Sequence, residues 1–228
     1  TRRMSKKKAV IVHTDFRVYW PARLRLLNAF LAERGDALTV VEIAGKGSPY
    51  DFADADCSSV DGLHWVRLFD TDLRTLSPRK MSKQVYAALD ALQPDVVLAG
   101  AIAFPSGATA VRWARSRRRP VMIMDDARQE DVPRGRLTNW VKRRIYRNVD
   151  ALLIPAASHV DSFRRWGVGR ERMFFGVNVI DNDWFAGKAA EARLDTQGRD
   201  RFGLPRRFFL GVGRQVVKKN WGALLTAY

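Results

Sequence analysis

Seven short apolar runs punctuate the chain, at residues 9–13, 38–43, 64–69, 95–99, 121–124, 151–154 and 173–176. Each is rich in the β-branched and aliphatic side chains that suit a strand. Between them apolar residues recur at three- and four-residue spacing, as in Leu24, Leu27, Phe30 and Leu31, and again in Val85, Ala88, Leu89 and Leu92. That is the period of a helix packed on one side. Strands that alternate with helices predict a parallel sheet, because parallel neighbours need a crossover between them. Right-handed crossovers then give a doubly wound α/β sandwich. The punctuation agrees: Pro21 suits a first helical position, Gly35 a helix C-terminus, and Pro94 and Pro120 end helices just ahead of strands.

An eighth apolar run, residues 208–213, follows a polar, charged stretch at 188–203 that contains Gly198. This predicts a first domain over residues 1–187, a connection over 188–206 and the start of a second domain over 207–228. The helical spacing of Trp221, Leu224, Leu225 and Ala227 runs to the last residue without a cap, Gly or Pro. The expectation is therefore a second domain cut short.

Composition adds constraints on partners. With 46% hydrophobic and 28% charged residues, the 228-residue chain is ordinary globular protein. Its net charge of +16 points to anionic partners, whether nucleic acid, an anionic membrane surface or a phosphorylated substrate. No nucleic-acid recognition motif accompanies the charge, which makes nucleic acid the weaker of these. A single cysteine, Cys57, excludes an internal disulfide and a Cys-rich metal site, and suits a reducing compartment. The longest apolar run, residues 96–104, is far short of the ~20 residues that span a bilayer. A cytoplasmic protein, peripheral at most to the cytosolic membrane face, is expected, with no metal and no cofactor.

Five segments carry candidate chemistry or binding surfaces. The apolar run at 208–213 enters a turn with Gly211, Gly213, Arg214 and Lys219 ahead of a helix. Such a turn admits close backbone approach and two cations to a diphosphate, or is simply a tight turn with solvated cations. The first strand ends in His13, followed by Arg17, Tyr19 and Trp20, at the sheet edge where ligands bind in this architecture. There an aromatic can stack on a sugar face and Arg17 can bond hydroxyl or phosphate, or the aromatics pack on the first helix. After the fifth strand come Asp125, Asp126 and Arg128, a hydrated turn or a set of acceptor-hydroxyl ligands. Ser158 and His159 follow the sixth strand, either at an anion site or as a plain helix cap. The basic segment 134–147 carries Leu137, Trp140, Val141 and Ile145, which either face the core or lie on an anionic membrane.

These motifs resemble the family-4 retaining glycosyltransferases of the GT-B fold. In that family a Val-Gly-Arg strand end is followed five residues later by Lys, matched here by Val212, Gly213, Arg214 and Lys219, with Asn220 where many members have Gly. Asp181 and Phe185 match the segment that closes the family's first domain, and residues 151–167 match its strand, Ser-containing turn and short helix. The resemblance implies two Rossmann-like domains, an acceptor-side half here and the truncated start of a donor half. It also implies transfer of a sugar from a nucleotide-sugar donor to a saccharide or lipid-linked saccharide acceptor in polysaccharide or glycolipid synthesis. Gly213, Arg214 and Lys219 would bind the donor diphosphate. Asp125 or Asp126 stands where many members carry a His that contacts the donor sugar, so either is a catalytic candidate. Arg17, Tyr19, Trp20, Arg128, Ser158 and His159 would line the acceptor side. The rival readings are a basic nucleic-acid-binding α/β protein and a non-catalytic sugar-binding remnant.

Overall fold

The structure, a computed structural model, describes residues 6–17, 19–47, 62–195 and 197–228; Cys57 lies outside them. The chain divides into two compact units, Thr1–Asp181 and Asn182–Tyr228.

The first unit is built on seven strands: β1 (Lys8–His13), β2 (Ala37–Lys46), β3 (His64–Asp72), β4 (Val96–Ala99), β5 (Val121–Met124), β6 (Ala151–Ile154) and β7 (Met173–Phe175). They form one sheet in the order β3-β2-β1-β4-β5-β6-β7, with every pairing parallel. All seven apolar runs therefore become strands, in an α/β fold of the GT-B, Rossmann-like kind. The chain works outward from β1 to β3, then returns to the other side of β1 at β4. That reversal leaves the β1 and β4 carboxyl ends side by side.

Period-two alternation sorts the strand residues onto two faces. One face carries Val10, Val12, Val97, Ala99, Ile123 and Leu152. It is covered by α2 (Pro78–Leu92), α3 (Pro105–Arg117), α4 (Arg136–Tyr146) and α5 (Val160–Arg165), through side chains such as Val85, Leu89, Trp113, Tyr146 and Phe163. The other face carries Ala9, Ile11, Leu38 and Val40 against Leu24 of α1 (Trp20–Ala32). Phe30, expected on the inner face of α1, is instead exposed, with the Arg34 guanidinium 3.5 Å from its ring centroid. The helix ends follow local chemistry. Ser77 accepts from the Lys80 N–H at the start of α2, and Gln93 and Arg118 adopt left-handed backbone beyond the ends of α2 and α3, near Pro94 and Pro120.

In the second unit lie α6 (Asn182–Leu194), α7 (Gly198–Arg201) and α8 (Trp221–Ala227), and none of its described residues is buried. The strand expected at residues 208–213 does not form; the segment is irregular. An extended run becomes a strand only when a neighbour pairs its backbone groups, and this unit has no strand among its described residues.

Candidate functional site

The β1–α1 loop is fastened from below by one buried carboxylate. Glu42 of β2, 1% exposed, accepts from the Phe16 N–H at 3.2 Å, Trp65 Nε1 at 3.3 Å and Arg67 Nε at 2.8 Å. A charge so buried is tolerable because donors surround it. Asp15 turns the loop by accepting from the Arg17 N–H at 3.1 Å, and its carboxylate lies 3.7 Å from Arg17 Nε. Above this anchor, Phe16 meets Trp20 and Trp65 edge-on, with centroids 5.1 and 5.5 Å away.

His13 closes the same aromatic cluster, its ring 5.1 Å from that of Trp20. Its Nδ1 lies 3.0 Å from the Asp15 carbonyl, an acceptor, so Nδ1 carries the proton in the neutral ring. Burial pushes the His13 pKa below the ordinary imidazole value, against the opposing pull of Asp15. The neutral ring then has Nε2 as a hydrogen-bond acceptor, at the strand-order reversal where ligands bind in open α/β sheets. Across that reversal, a Cβ at Gly100 would come within 3.1 Å of Nε2. A Cβ at Gly107, in the first turn of α3, would meet the Gly100 and Ala101 carbonyl oxygens at 2.3 and 2.5 Å. Glycine at these two positions lets the ring and α3 approach the end of β4.

The proposed acceptor-side residues divide in two. Tyr19 is exposed and Trp20 is partly buried in the aromatic cluster, with the Arg23 guanidinium 5.7 and 5.1 Å from their respective rings. Arg23 Nε also donates to the Val179 carbonyl at 2.8 Å, which brings α1 and the loop after β7 together. Of the residues named from sequence, then, Arg17, Tyr19 and Trp20 share the β1 edge. Arg128 lies on the loop after β5, its Nε 3.9 Å from a Glu130 carboxylate oxygen and 3.8 Å from one of Asp131. Ser158, exposed, lies 3.3 Å from His159 Nδ1 rather than capping α5.

Asp125 and Asp126 part company. Asp126 is exposed and accepts from Asn178 Nδ2 at 3.5 Å. Asp125 continues the alternation of Val121 and Ile123 and so enters the core face. It is 3% exposed and bonded by the Tyr146 hydroxyl and, at 2.8 Å, by the Ala127 N–H. Burial raises its pKa, while Tyr146, the Ala127 amide and Lys142 pull it back. Lys142 of α4 is also buried, its Nζ 4.1 Å from the Trp166 ring centroid, and desolvation lowers its pKa. With all its close partners inside the fold, Asp125 is an internal tie between β5 and α4.

In the second unit, the Trp221 indole explains the glycines. A Cβ at Gly211 would meet its ring at 2.5 Å and one at Gly213 at 3.2 Å, while Trp221 Nε1 donates to the Arg214 carbonyl at 2.9 Å. Lys219 closes a single 3-10 turn (Val217–Lys219), and Asn220 has φ +51°. Asn is one of the few side chains that accept this left-handed backbone. Sequence reading did not single out Glu42, Trp65 or Arg67. A lone acid inside the apolar stretch of β2 was the available signal.

The family model described as Glycosyl transferase 4-like domain matches residues 10–175. No curated protein matches in sequence. Among solved structures, HepE from Anabaena in complex with UDP and glucose is similar, with a TM-score of 0.61 at 14% identity over 97% of this chain and 57% of that one. UDP-GlcNAc 2-epimerase from Neisseria meningitidis bound to UDP-GlcNAc gives 0.55 at 13% identity, over 86% and 53%. UDP-N-acetylglucosamine 2-epimerase from Rickettsia bellii gives 0.53 at 14%, over 88% and 52%. The chain thus spans about half the length of these structures.

Proposed function

The chain belongs to the glycosyl transferase 4-like family, and from that premise we propose that it is the acceptor-side part of a retaining glycosyltransferase. The donor is a nucleotide sugar and the acceptor a saccharide or a lipid-linked saccharide on the cytosolic face of a membrane. The observation that carries the reading is the conjunction of a family match over residues 10–175 with an aromatic and cationic loop at the β1–β4 reversal. In this reading residues 207–228 open the donor domain. Transfer breaks the bond between the sugar's anomeric carbon and the diphosphate oxygen and forms one from that carbon to an acceptor hydroxyl oxygen. The hydroxyl loses its proton, and the departing diphosphate gains a negative charge that cations must stabilise.

Arg214 and Lys219 supply those cations, while Gly213 allows close backbone approach. Tyr19 offers a face to the acceptor ring, and His13 Nε2 accepts from a hydroxyl. The test is incubation of the intact protein with UDP-, GDP- and ADP-sugars and with soluble and polyprenyl-linked saccharides. Transfer to an acceptor is the expected outcome. Conversion of a UDP-sugar to its epimer without any acceptor would replace this reading with the chemistry named for two of the similar structures.

The diphosphate role has its own measurement. Charge-assisted hydrogen bonds contribute roughly 1.5–3 kcal/mol each, so Arg214→Ala or Lys219→Ala should weaken nucleotide-diphosphate binding by about ten- to a hundredfold in calorimetric titration. Lys218→Ala, one residue away with equal charge, should cost little. Equal losses at Lys218 and Lys219 would mean diffuse electrostatics instead of a built site.

A further inference from the structure

Helix α4 is inside out relative to its hydrophobic pattern. Its inward residues are Lys142, Tyr146 and, in part, Asn139 and Ile145. Each polar group among them is engaged: Lys142 over the Trp166 ring, the Tyr146 hydroxyl on Asp125, and the Asn139 Oδ1 accepting from Trp166 Nε1 at 2.9 Å. The outward side therefore takes Leu137, Trp140 and Val141, which are 73%, 58% and 41% exposed. They lie at three- and four-residue spacing and form one stripe, which Arg144 extends with its guanidinium 5.9 Å from the Trp140 ring. Val132, 54% exposed, precedes the helix.

Within the helix the flanks of the stripe are all of one sign. Arg136, Arg143, Arg144 and Arg147 are exposed, and the helix contains no acidic residue. Arg147 continues into a cavity of about 420 Å³ at the amino edge of the sheet, whose walls include Arg115, Arg118, Arg119 and Arg172 against a single carboxylate, Asp150. An exposed Trp and Leu stripe bordered by cations is the pattern of a helix that lies in a membrane interface, its apolar side among acyl chains and its cations on lipid phosphates.

We propose that the outer side of α4 docks this protein onto an anionic lipid surface. Charge selects this occupant over a second copy of the chain, since two α4 surfaces would set arginine against arginine in a protein of net charge +16. The inference does not depend on the chemistry proposed at the opposite edge of the sheet, and its test needs no activity.

The experiment uses vesicles of phosphatidylcholine alone and of phosphatidylcholine with phosphatidylglycerol in equal parts. Sedimentation should show binding to the anionic vesicles only. Trp140→Ser should weaken it roughly tenfold or more, as expected for losing one large buried apolar side chain. Arg136→Gln, Arg143→Gln and Arg144→Gln should each weaken it by roughly fivefold. Trp184→Ser is the control, because Trp184 is as exposed as Trp140, at 55% against 58%, but lies in the other unit. It should bind as the parent does. Lipids brominated on the acyl chains should quench a fluorescence component that Trp140→Phe removes. Binding that survives Trp140→Ser unchanged, with no such quenching, would overturn insertion in favour of plain electrostatic adsorption. Absence of binding to anionic vesicles would overturn the proposal, as would self-association in solution that Trp140→Ser abolishes while vesicle binding stays intact.

Discussion

Helices α2 and α4 lie on the same face of the same sheet and solve the packing problem in opposite ways. In α2 the pattern is obeyed: Met81, Val85 and Leu89 are buried, and the polar residues Lys83 and Gln84 face solvent. In α4 Leu137 and Val141 face out, while a lysine and a tyrosine face in beside Ile145. What differs is the strand end beneath each. Beneath α4, β5 delivers Asp125 into the core face, and a buried carboxylate must have hydrogen bonds. Tyr146 supplies one, Lys142 supplies charge, and Trp166 covers Lys142 and bonds Asn139. A polar requirement in the strand thereby overrides the apolar spacing of the helix.

Core truncation is the largest lever on that comparison. Trp166, 1% exposed, is the lid of the α4 network, and Trp166→Ala should cost about 3–5 kcal/mol of unfolding free energy. On the α2 side, Leu89→Ala should cost about 2–5 kcal/mol. By contrast, Trp140→Ala and Leu137→Ala on the outside of α4 should stay within about 0.5 kcal/mol. Urea unfolding followed by circular dichroism measures all four. A loss at Leu137 comparable with that at Leu89 would mean that α4 packs its aliphatic side after all.

Next in size is the carboxylate itself. Asp125→Ala leaves the Tyr146 hydroxyl and the Ala127 N–H without their acceptor and should cost about 1–3 kcal/mol. Asp125→Asn keeps an acceptor and should cost less, so its signature is in the pH dependence. Burial raises the Asp125 pKa in the folded state. Between the ordinary carboxylate value and that raised value, the folded protein therefore holds the extra proton. The contribution is full below the ordinary value and is lost as pH rises through the folded one. Asp125→Asn should remove this falling component from the stability–pH curve. If the two curves run parallel, Asp125 is not the group responsible.

The same contrast marks how far sequence could be read. The sheet was legible because each of its seven strands left an apolar run, and proline with local turn chemistry marked where α2 and α3 end. The direction of α4 was not, because its inward residues are chosen by Asp125 and Trp166, which converge only in the folded chain. The alternation through Val121, Ile123 and Asp125 did contain the clue, which sequence reading spent on a catalytic candidate. At the β1 edge, Arg17, Tyr19 and Trp20 could be named from their position after a strand, but the Glu42 anchor could not. Its donors come from Phe16 in the β1–α1 loop and from Trp65 and Arg67 on β3, segments that meet it only in the folded chain. The run at 208–213 failed as a strand for a matching reason, since the pattern describes a segment and pairing needs a partner.

The smallest expected effect tests whether the buried cation is needed at all. Lys142→Met keeps a long unbranched side chain under Trp166 and removes only the charge. Lys142 acts on Asp125 through its charge, and the carboxylate's hydrogen bonds come from Tyr146 and Ala127, so it keeps them. The change at neutral pH should therefore be under about 1 kcal/mol, of either sign, as when a desolvated charge is exchanged for packing. Two pH effects should accompany it. Burial lowers the Lys142 pKa, so between that lowered value and the ordinary lysine value the unfolded chain holds more protons and stability rises with pH; Lys142→Met should erase that rise. The loss of a nearby positive charge should also push the Asp125 pKa further up and carry the fall in stability to higher pH. A double-mutant cycle with Asp125→Asn isolates the coupling. Additive single and double changes, with an unshifted acid limb, would mean that Lys142 is held by Trp166 alone and that the α4 inversion rests on Tyr146 and Asn139.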